Sequence, residues 1–137
     1  MEGYNLIRQG KVGVVILGGG QGSRLGFNGP KGVYNVGLPS QKSLYQILTE
    51  RFLRAQLNAH ELQPTTEMSK NGESQVKVPE AAQNCKLFIL TNYENHDDTV
   101  NHFRDNNFFG AHPDSFVFFP QAMLPAVDLE GKILMAS

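Results

Sequence analysis

The chain has 137 residues, 40% of them hydrophobic and 18% charged, which is enough for one compact domain with a real core and no more. Twelve Lys and Arg against thirteen Asp and Glu leave a formal net charge of -1, so no global basic field exists to hold nucleic acid or an anionic membrane, and a phosphate ligand has to be bound locally. Cys85 is the single cysteine and excludes an internal disulfide; no Asn-x-Ser/Thr sequon occurs, and no apolar run approaches the roughly 18 to 20 residues of a membrane span. With polar residues following Met1 in place of a signal peptide, these features predict a chain of the reducing cytosol.

In chain order, Val12-Gly13-Val14-Val15-Ile16-Leu17 is short, β-branched and apolar on both faces, the pattern of a buried parallel strand, and it runs into three glycines. Helical spacing begins after Ser43 with Leu44, Ile47, Leu48, Phe52 and Ala55, and Ser43 with Gln46 has the form of a capping box, predicting a helix over 43–60. Residues 62–84 carry Pro64, Gly72, Pro79 and many small polar residues with little periodicity, and predict a mobile surface insertion without secondary structure. Lys86 to Thr91 is a second buried strand. Tyr93 to Asp105 is a second helix, with Glu94, Asp97 and Asp98 placed early, where acidic side chains favour a helix N-terminus. Ser115 to Phe119 is a third strand whose phenylalanines belong to the core, stopped by Pro120, and Lys132 to Ala136 is a candidate fourth. Strands alternating with helices predict an α/β fold with a Rossmann-like, doubly wound, mostly parallel sheet that binds its ligand at the carboxyl ends of the strands.

The segment Leu17-Gly18-Gly19-Gly20-Gln21-Gly22-Ser23-Arg24-Leu25-Gly26, followed by Gly29-Pro30-Lys31-Gly32, stands where such a fold binds nucleotides. Glycines there let backbone N–H groups approach phosphate or base edges without a Cβ in the way. Arg24 supplies a planar fork suited to phosphate oxygens, and Lys31 a mobile point charge. The dinucleotide fingerprint G-x-G-x-x-G fails, since Gly18 and Gly20 are followed by Ser23, and Gly20 and Gly22 by Leu25. The P-loop pattern fails too, because Lys31 lies between Pro30 and Gly32.

Leu17 to Gly26, then P-K-G-V-Y-N-V-G-L-P-S from Pro30 and Lys42-Ser43-Leu44-Tyr45-Gln46, resemble the signature of eukaryotic-type UDP-N-acetylglucosamine pyrophosphorylases, nucleotidyltransferases with a G-x-G-T-x-x-G and P-K motif. The likeness resumes in Asn107-Phe108-Phe109-Gly110 and in Phe118 to Ala126, and covers nearly the whole chain outside the insertion and the first ten residues. It implies the fold of the nucleotide-diphospho-sugar transferases and a uridylyltransferase that joins UTP and N-acetylglucosamine 1-phosphate to give UDP-N-acetylglucosamine and pyrophosphate. By the resemblance, Leu17, Gly18, Gly19, Gly20, Gly22 and Ser23 line the nucleotide. Arg24 and Lys31 meet its phosphates and carry the catalysis, and Gln121 bonds the uracil edge. An amide side chain has both a donor and an acceptor to offer there. Ser23 replaces the Thr usual in the motif and keeps the hydroxyl, while Pro120 and Ala122 stand where the family often has Gln and Gly.

Mg²⁺ is implied as cofactor, held by phosphates or by residues outside this chain. Family members are considerably longer, so residues 1–137 are expected to be a single incomplete nucleotide-binding part, inactive alone, whose interrupted sheet edge favours self-association. N-acetylgalactosamine stays open as a second substrate.

Two alternatives stand beside this expectation. One is a pyrophosphorylase for UDP-glucose or another UDP-sugar, although the glucose enzymes have a different version of the Arg24 and Lys31 segments. The other is a non-catalytic nucleotide-binding or regulatory module. His60, His96, His102 and His112 have no metal-ligand spacing with one another or with Cys85, and predict structural roles. Asp97 and Asp98 are better explained by the helix N-terminus than as a catalytic pair, and Cys85 has no activating base nearby in sequence.

Overall fold

A computed structural model describes residues 2–62, 65–68, 72, 74–122, 125 and 127–133. Its elements are α1 (Glu2–Arg8), β1 (Gly13–Leu17), α2 (Leu44–Ala59), β2 (Thr65–Met68), β3 (Ser74–Lys77), β4 (Lys86–Asn92), α3 (His96–Asp105) and β5 (Phe116–Gln121). Strands β1, β4 and β5 form a parallel sheet in that order, with Ile16 opposite Ile89 and Ile89 opposite Phe118. The sheet therefore grows in one direction, and the predicted α/β class with a parallel sheet holds.

Alternation along β4 decides which face is the core. Leu87, Ile89 and Thr91 are buried, and on that side α2 supplies Tyr45, Phe52, Leu53 and Leu57 while α3 supplies Phe103. Phe103 sits at the centre, its ring 5.1 to 5.3 Å from those of Tyr45, Phe109, Phe116 and Phe118. Phe109 reaches this cluster through an unusual turn in which Asn107, Phe108 and Phe109 all have φ between 51° and 53°, a left-handed conformation that non-glycine residues rarely adopt. The burial of Phe109, which is 2% exposed, offsets that strain.

Several expectations change. β1 is not buried on both faces: it is the edge of the described sheet, and Val15 and Leu17 are 59% and 79% exposed. β5 runs through Pro120 to Gln121, which an edge strand tolerates because no ladder hydrogen bond is lost on its open side. Phe119 turns away from the core to the opposite face, unlike Phe116 and Phe118.

Within 62–84, β2 and β3 pair as an antiparallel hairpin, with Thr65 opposite Lys77 and Met68 opposite Ser74. Val78 and Ala82, at the end of the predicted insertion, enter the core. The first ten residues, without an assignment in the sequence, contain α1, which lies on α2 and is tied to it by Arg8, bonded to the Ala59 carbonyl and to Glu61. The candidate strand over 132–136 lies mostly outside the described residues; Ile133 makes an isolated antiparallel bridge with Val127.

Candidate nucleotide-binding site

The glycine loop leaves β1 at the carboxyl end of the sheet, and the carbonyls of Gly18, Gly19 and Gly20 are bonded inside the protein. The Gly18 oxygen accepts from the Tyr45 hydroxyl at 3.4 Å and from Asn95 Nδ2 at 3.3 Å. The Gly19 oxygen accepts from Asn92 Nδ2 at 2.8 Å, and the Gly20 oxygen from the Lys31 N–H at 3.0 Å. The Gly18 N–H continues the sheet by donating to the Leu90 carbonyl at 2.8 Å. The N–H groups of Gly19 and Gly20 have no such partner among the described residues. The loop thus offers a ligand donors and withholds its acceptors, which suits phosphate oxygens or base carbonyls.

Beyond Gly20 the chain folds back on itself. Gln21 bridges Pro30, and the Gly22 N–H donates to the Gly29 carbonyl at 2.9 Å, closing a small hairpin with Lys31 at its base. Arg24 lies in the short 3-10 turn Ser23–Leu25 within that hairpin, exposed, with no ion pair among the described residues. Leu17, Gly18, Gly20, Lys31, Gly32 and Tyr45 line a cavity of about 220 Å³. The structure therefore brings Lys31 to the glycine loop, whereas Gly19, Gly22, Ser23 and Arg24 lie outside the cavity lining. Gln121 ends β5 opposite Asn92, exposed, two strands from the glycine loop, or about 10 Å by ordinary strand spacing.

Tyr45 explains two of the glycines. A Cβ on Gly32 would fall within its ring, and one on Gly18 would collide with its hydroxyl. Burial pushes the Tyr45 hydroxyl up from its ordinary pKa, so it stays a hydrogen-bond donor at neutral pH. Ser43 caps α2 as predicted, its Oγ accepting from the Gln46 N–H at 3.2 Å. The capping box is only half formed, because the Gln46 side chain donates to Glu50 instead of returning to Ser43. Ser43 Oγ also lies 3.0 Å from His102 Nε2, joining the start of α2 to α3.

Asn92 and Asn95 are site residues that no sequence motif announced. Each accepts the other's backbone N–H, at 2.8 and 2.9 Å, which tightens the turn between β4 and α3 and delays the helix to His96. Their spacing of three is the only signal the sequence carries, and it is shared by many turns.

The histidines are structural among the described contacts. His96 Nδ1 meets Thr91 Oγ1 at 2.8 Å, and His112 caps the turn at Pro113 by accepting from the Asp114 N–H. Asp97 and Asp98 occupy the first turn of α3 as expected. The Cys85 thiol is pushed up by burial and donates to the Ile7 carbonyl. Among the described residues no group of three or more His, Cys, Asp or Glu is arranged to hold a metal ion. No described helix is long and apolar enough to cross a membrane. A larger open groove of about 440 Å³ along α2, lined by Ile47, Glu50, Arg51 and Arg54, contains none of the motif residues.

Comparison with known proteins identifies a family and similar structures. Residues 4–137 match the sequence model of the UTP–glucose-1-phosphate uridylyltransferase family. UDP-N-acetylglucosamine diphosphorylase 2 of Arabidopsis thaliana is 41% identical over 133 residues, covering 97% of this chain and 24% of that protein. UDP-N-acetylhexosamine pyrophosphorylase-like protein 1 of Mus musculus is 41% identical over 134 residues, covering 98% and 23%. The crystal structure of the uridine diphosphate N-acetylglucosamine pyrophosphorylase from Trypanosoma brucei, in complex with an inhibitor, superposes with a TM-score of 0.76 at 31% identity, covering 97% of this chain and 23% of that one. The chain spans about a quarter of the length of the curated relatives it matches.

Proposed function

Since the chain belongs to the UTP–glucose-1-phosphate uridylyltransferase family, we propose that it forms the UTP-binding part of an enzyme that makes UDP-N-acetylglucosamine from UTP and N-acetylglucosamine 1-phosphate. The observation that carries this reading is the donor-only glycine loop with Lys31 at its base, at the carboxyl end of a parallel sheet. In the proposed reaction a phosphate oxygen of the sugar phosphate attacks the α-phosphorus of UTP. The bond to the β-phosphate bridging oxygen breaks, and pyrophosphate leaves with the electron pair.

Positioning and electrostatics supply most of the rate in such a transfer. Lys31 stabilises phosphate charge from the cavity wall. Arg24 reaches the phosphates from the neighbouring turn, and Ser23 and Gly22 hold that turn beside them. Leu17 to Gly20 support the uridine, and Gln121 reads the uracil edge. Mg²⁺ would share the phosphate charge, held by the phosphate oxygens or by residues outside this chain.

The names of relatives 39 to 41% identical favour the N-acetylhexosamine substrate over glucose, although the family is named for the glucose enzyme. A cytosolic setting is supported by a single, unpaired Cys85. The open edges of the described sheet, β1 and β5, support self-association of this chain.

Calorimetric titration with UTP and Mg²⁺, with ATP and NAD as controls, tests the reading. UTP binding without ATP binding is expected. Equal affinity for ATP would remove the uracil role of Gln121, and silence from all three nucleotides would mean that these residues do not form the site.

A further inference from the structure

We propose that Asn92 and Asn95 are positioning residues of this nucleotide site, and that their amides make the glycine loop a donor-only cradle. The proposal rests on the UTP-binding reading above. Both side chains come from the turn at the end of β4, the strand next to the loop, and both spend their amide N–H on loop carbonyls: Asn92 on Gly19 at 2.8 Å, Asn95 on Gly18 at 3.3 Å. Their amide oxygens are occupied as well, each accepting the other's backbone N–H. The two groups therefore orient each other, and the amide nitrogens are fixed facing the loop.

A peptide group has its C=O and N–H on opposite sides, so pinning the Gly18 and Gly19 carbonyls toward β4 turns the Gly19 and Gly20 N–H groups away from it. Glycines lack the steric restriction that would otherwise select this rotation, so something outside the loop has to select it. Asn95 is completely buried, and Asn92 is half-buried beside Gln121 in the register. Aspartate at either position would set a carboxylate oxygen against a carbonyl oxygen, and alanine would leave the peptide free to turn.

The ligand-free chain gives the first test. In Asn92→Ala the backbone ¹⁵N relaxation of Gly19 and Gly20 is expected to report new motion, and the Gly19 carbonyl ¹³C shift to move; unchanged relaxation and shift would overturn the proposal whether or not UTP binds. Titration with UTP is the second test. Wild-type silence there would count against the UTP reading alone, whereas wild-type binding with equal affinity in Asn92→Ala would overturn the positioning role alone. The expected loss in that variant is about tenfold, as for one buried hydrogen bond. Asn92→Asp is expected to bind more weakly than Asn92→Ala near neutral pH. It should recover relative to wild type at about pH 4, where a protonated carboxyl can donate to the Gly19 carbonyl. A mere packing defect would not recover on acidification, and absence of recovery would contradict the donor role. If Asn92→Asp does not fold, the relaxation and affinity of Asn92→Ala decide.

Discussion

Lys31 and Arg24 have the same formal charge and different settings. Lys31 is bound into the loop through its own backbone N–H and lines the cavity, whereas Arg24 projects from a turn outside the lining. Lys31→Ala is therefore expected to weaken UTP binding to this chain by about ten- to a hundredfold, as for loss of a charge-assisted contact. Arg24→Ala should change it by less than about threefold, because Arg24, unlike Lys31, lies outside the cavity lining, where a solvated charge contributes little to ground-state affinity. Equal losses by calorimetry would place Arg24 in the pocket already in the ground state. In a longer protein with the proposed activity, both substitutions are expected to cut turnover by about two to three orders of magnitude, since transition-state charge is what the cations would meet. A near-normal rate in either variant would remove that residue from catalysis.

His102 makes the stability of the fold depend on pH. Burial lowers its pKa from the ordinary value, with Asp105 acting the other way, so the folded ring binds protons less readily than the unfolded one. Its contribution is present in full above about pH 6.5 and is lost as pH falls through the lower folded pKa, where unfolding takes up the proton. The urea midpoint should drop between about pH 7.5 and pH 5.5, and His102→Gln should flatten that drop. An identical drop in His102→Gln would assign the pH dependence to other groups.

Among elements, α2 is the one on which the site depends most. Its first turn presents Tyr45 to both Gly18 and Gly32, and its N-cap Ser43 is shared with His102 of α3. Ser43→Ala removes the acceptor for the Gln46 N–H and should destabilise the fold by about 1 kcal/mol, more than an exposed cap would, because a buried donor loses its partner. Thermal unfolding checks this. A change within experimental error would mean that water or Glu50 replaces the cap. The strands were legible from their apolar runs, and α2 from its 3.6-residue spacing and its Ser43 cap. The hairpin β2/β3 was not, because four-residue strands in a polar segment leave no periodicity to find. Nor was the left-handed turn at Asn107–Gly110, whose phenylalanines take a conformation that local preference disfavours and only core burial justifies.

Across the whole molecule, the described helices pack on one face of the sheet. On the other, Val15, Leu17, Val117 and Phe119 are 38 to 79% exposed, with the half-buried Phe88 and Leu90 between them. Parallel sheets are ordinarily covered on both faces, so this apolar surface is the feature most out of keeping with a free-standing domain. The chain by itself is expected to self-associate with rising concentration. Val15→Thr combined with Val117→Thr should shift it toward monomer while keeping strand propensity. Sedimentation equilibrium measures both, and a monomer at every concentration would exclude association through this face.

The α/β class, the place of the glycine loop after β1, the N-cap of α2 and the family are legible without a structure, because each is written in neighbouring residues: apolar runs, capping pairs and a contiguous motif. Which motif residues share a cavity depends on long-range packing. Lys31 meets the loop through a hairpin closed by backbone bonds, and Arg24 is carried out of the lining by the same hairpin. The same packing brings Asn92 and Asn95, more than seventy positions away, onto the Gly18 and Gly19 carbonyls. Such contacts depend on strand order and register, and those are fixed by burying one face of the whole sheet, a choice no local stretch of residues can make.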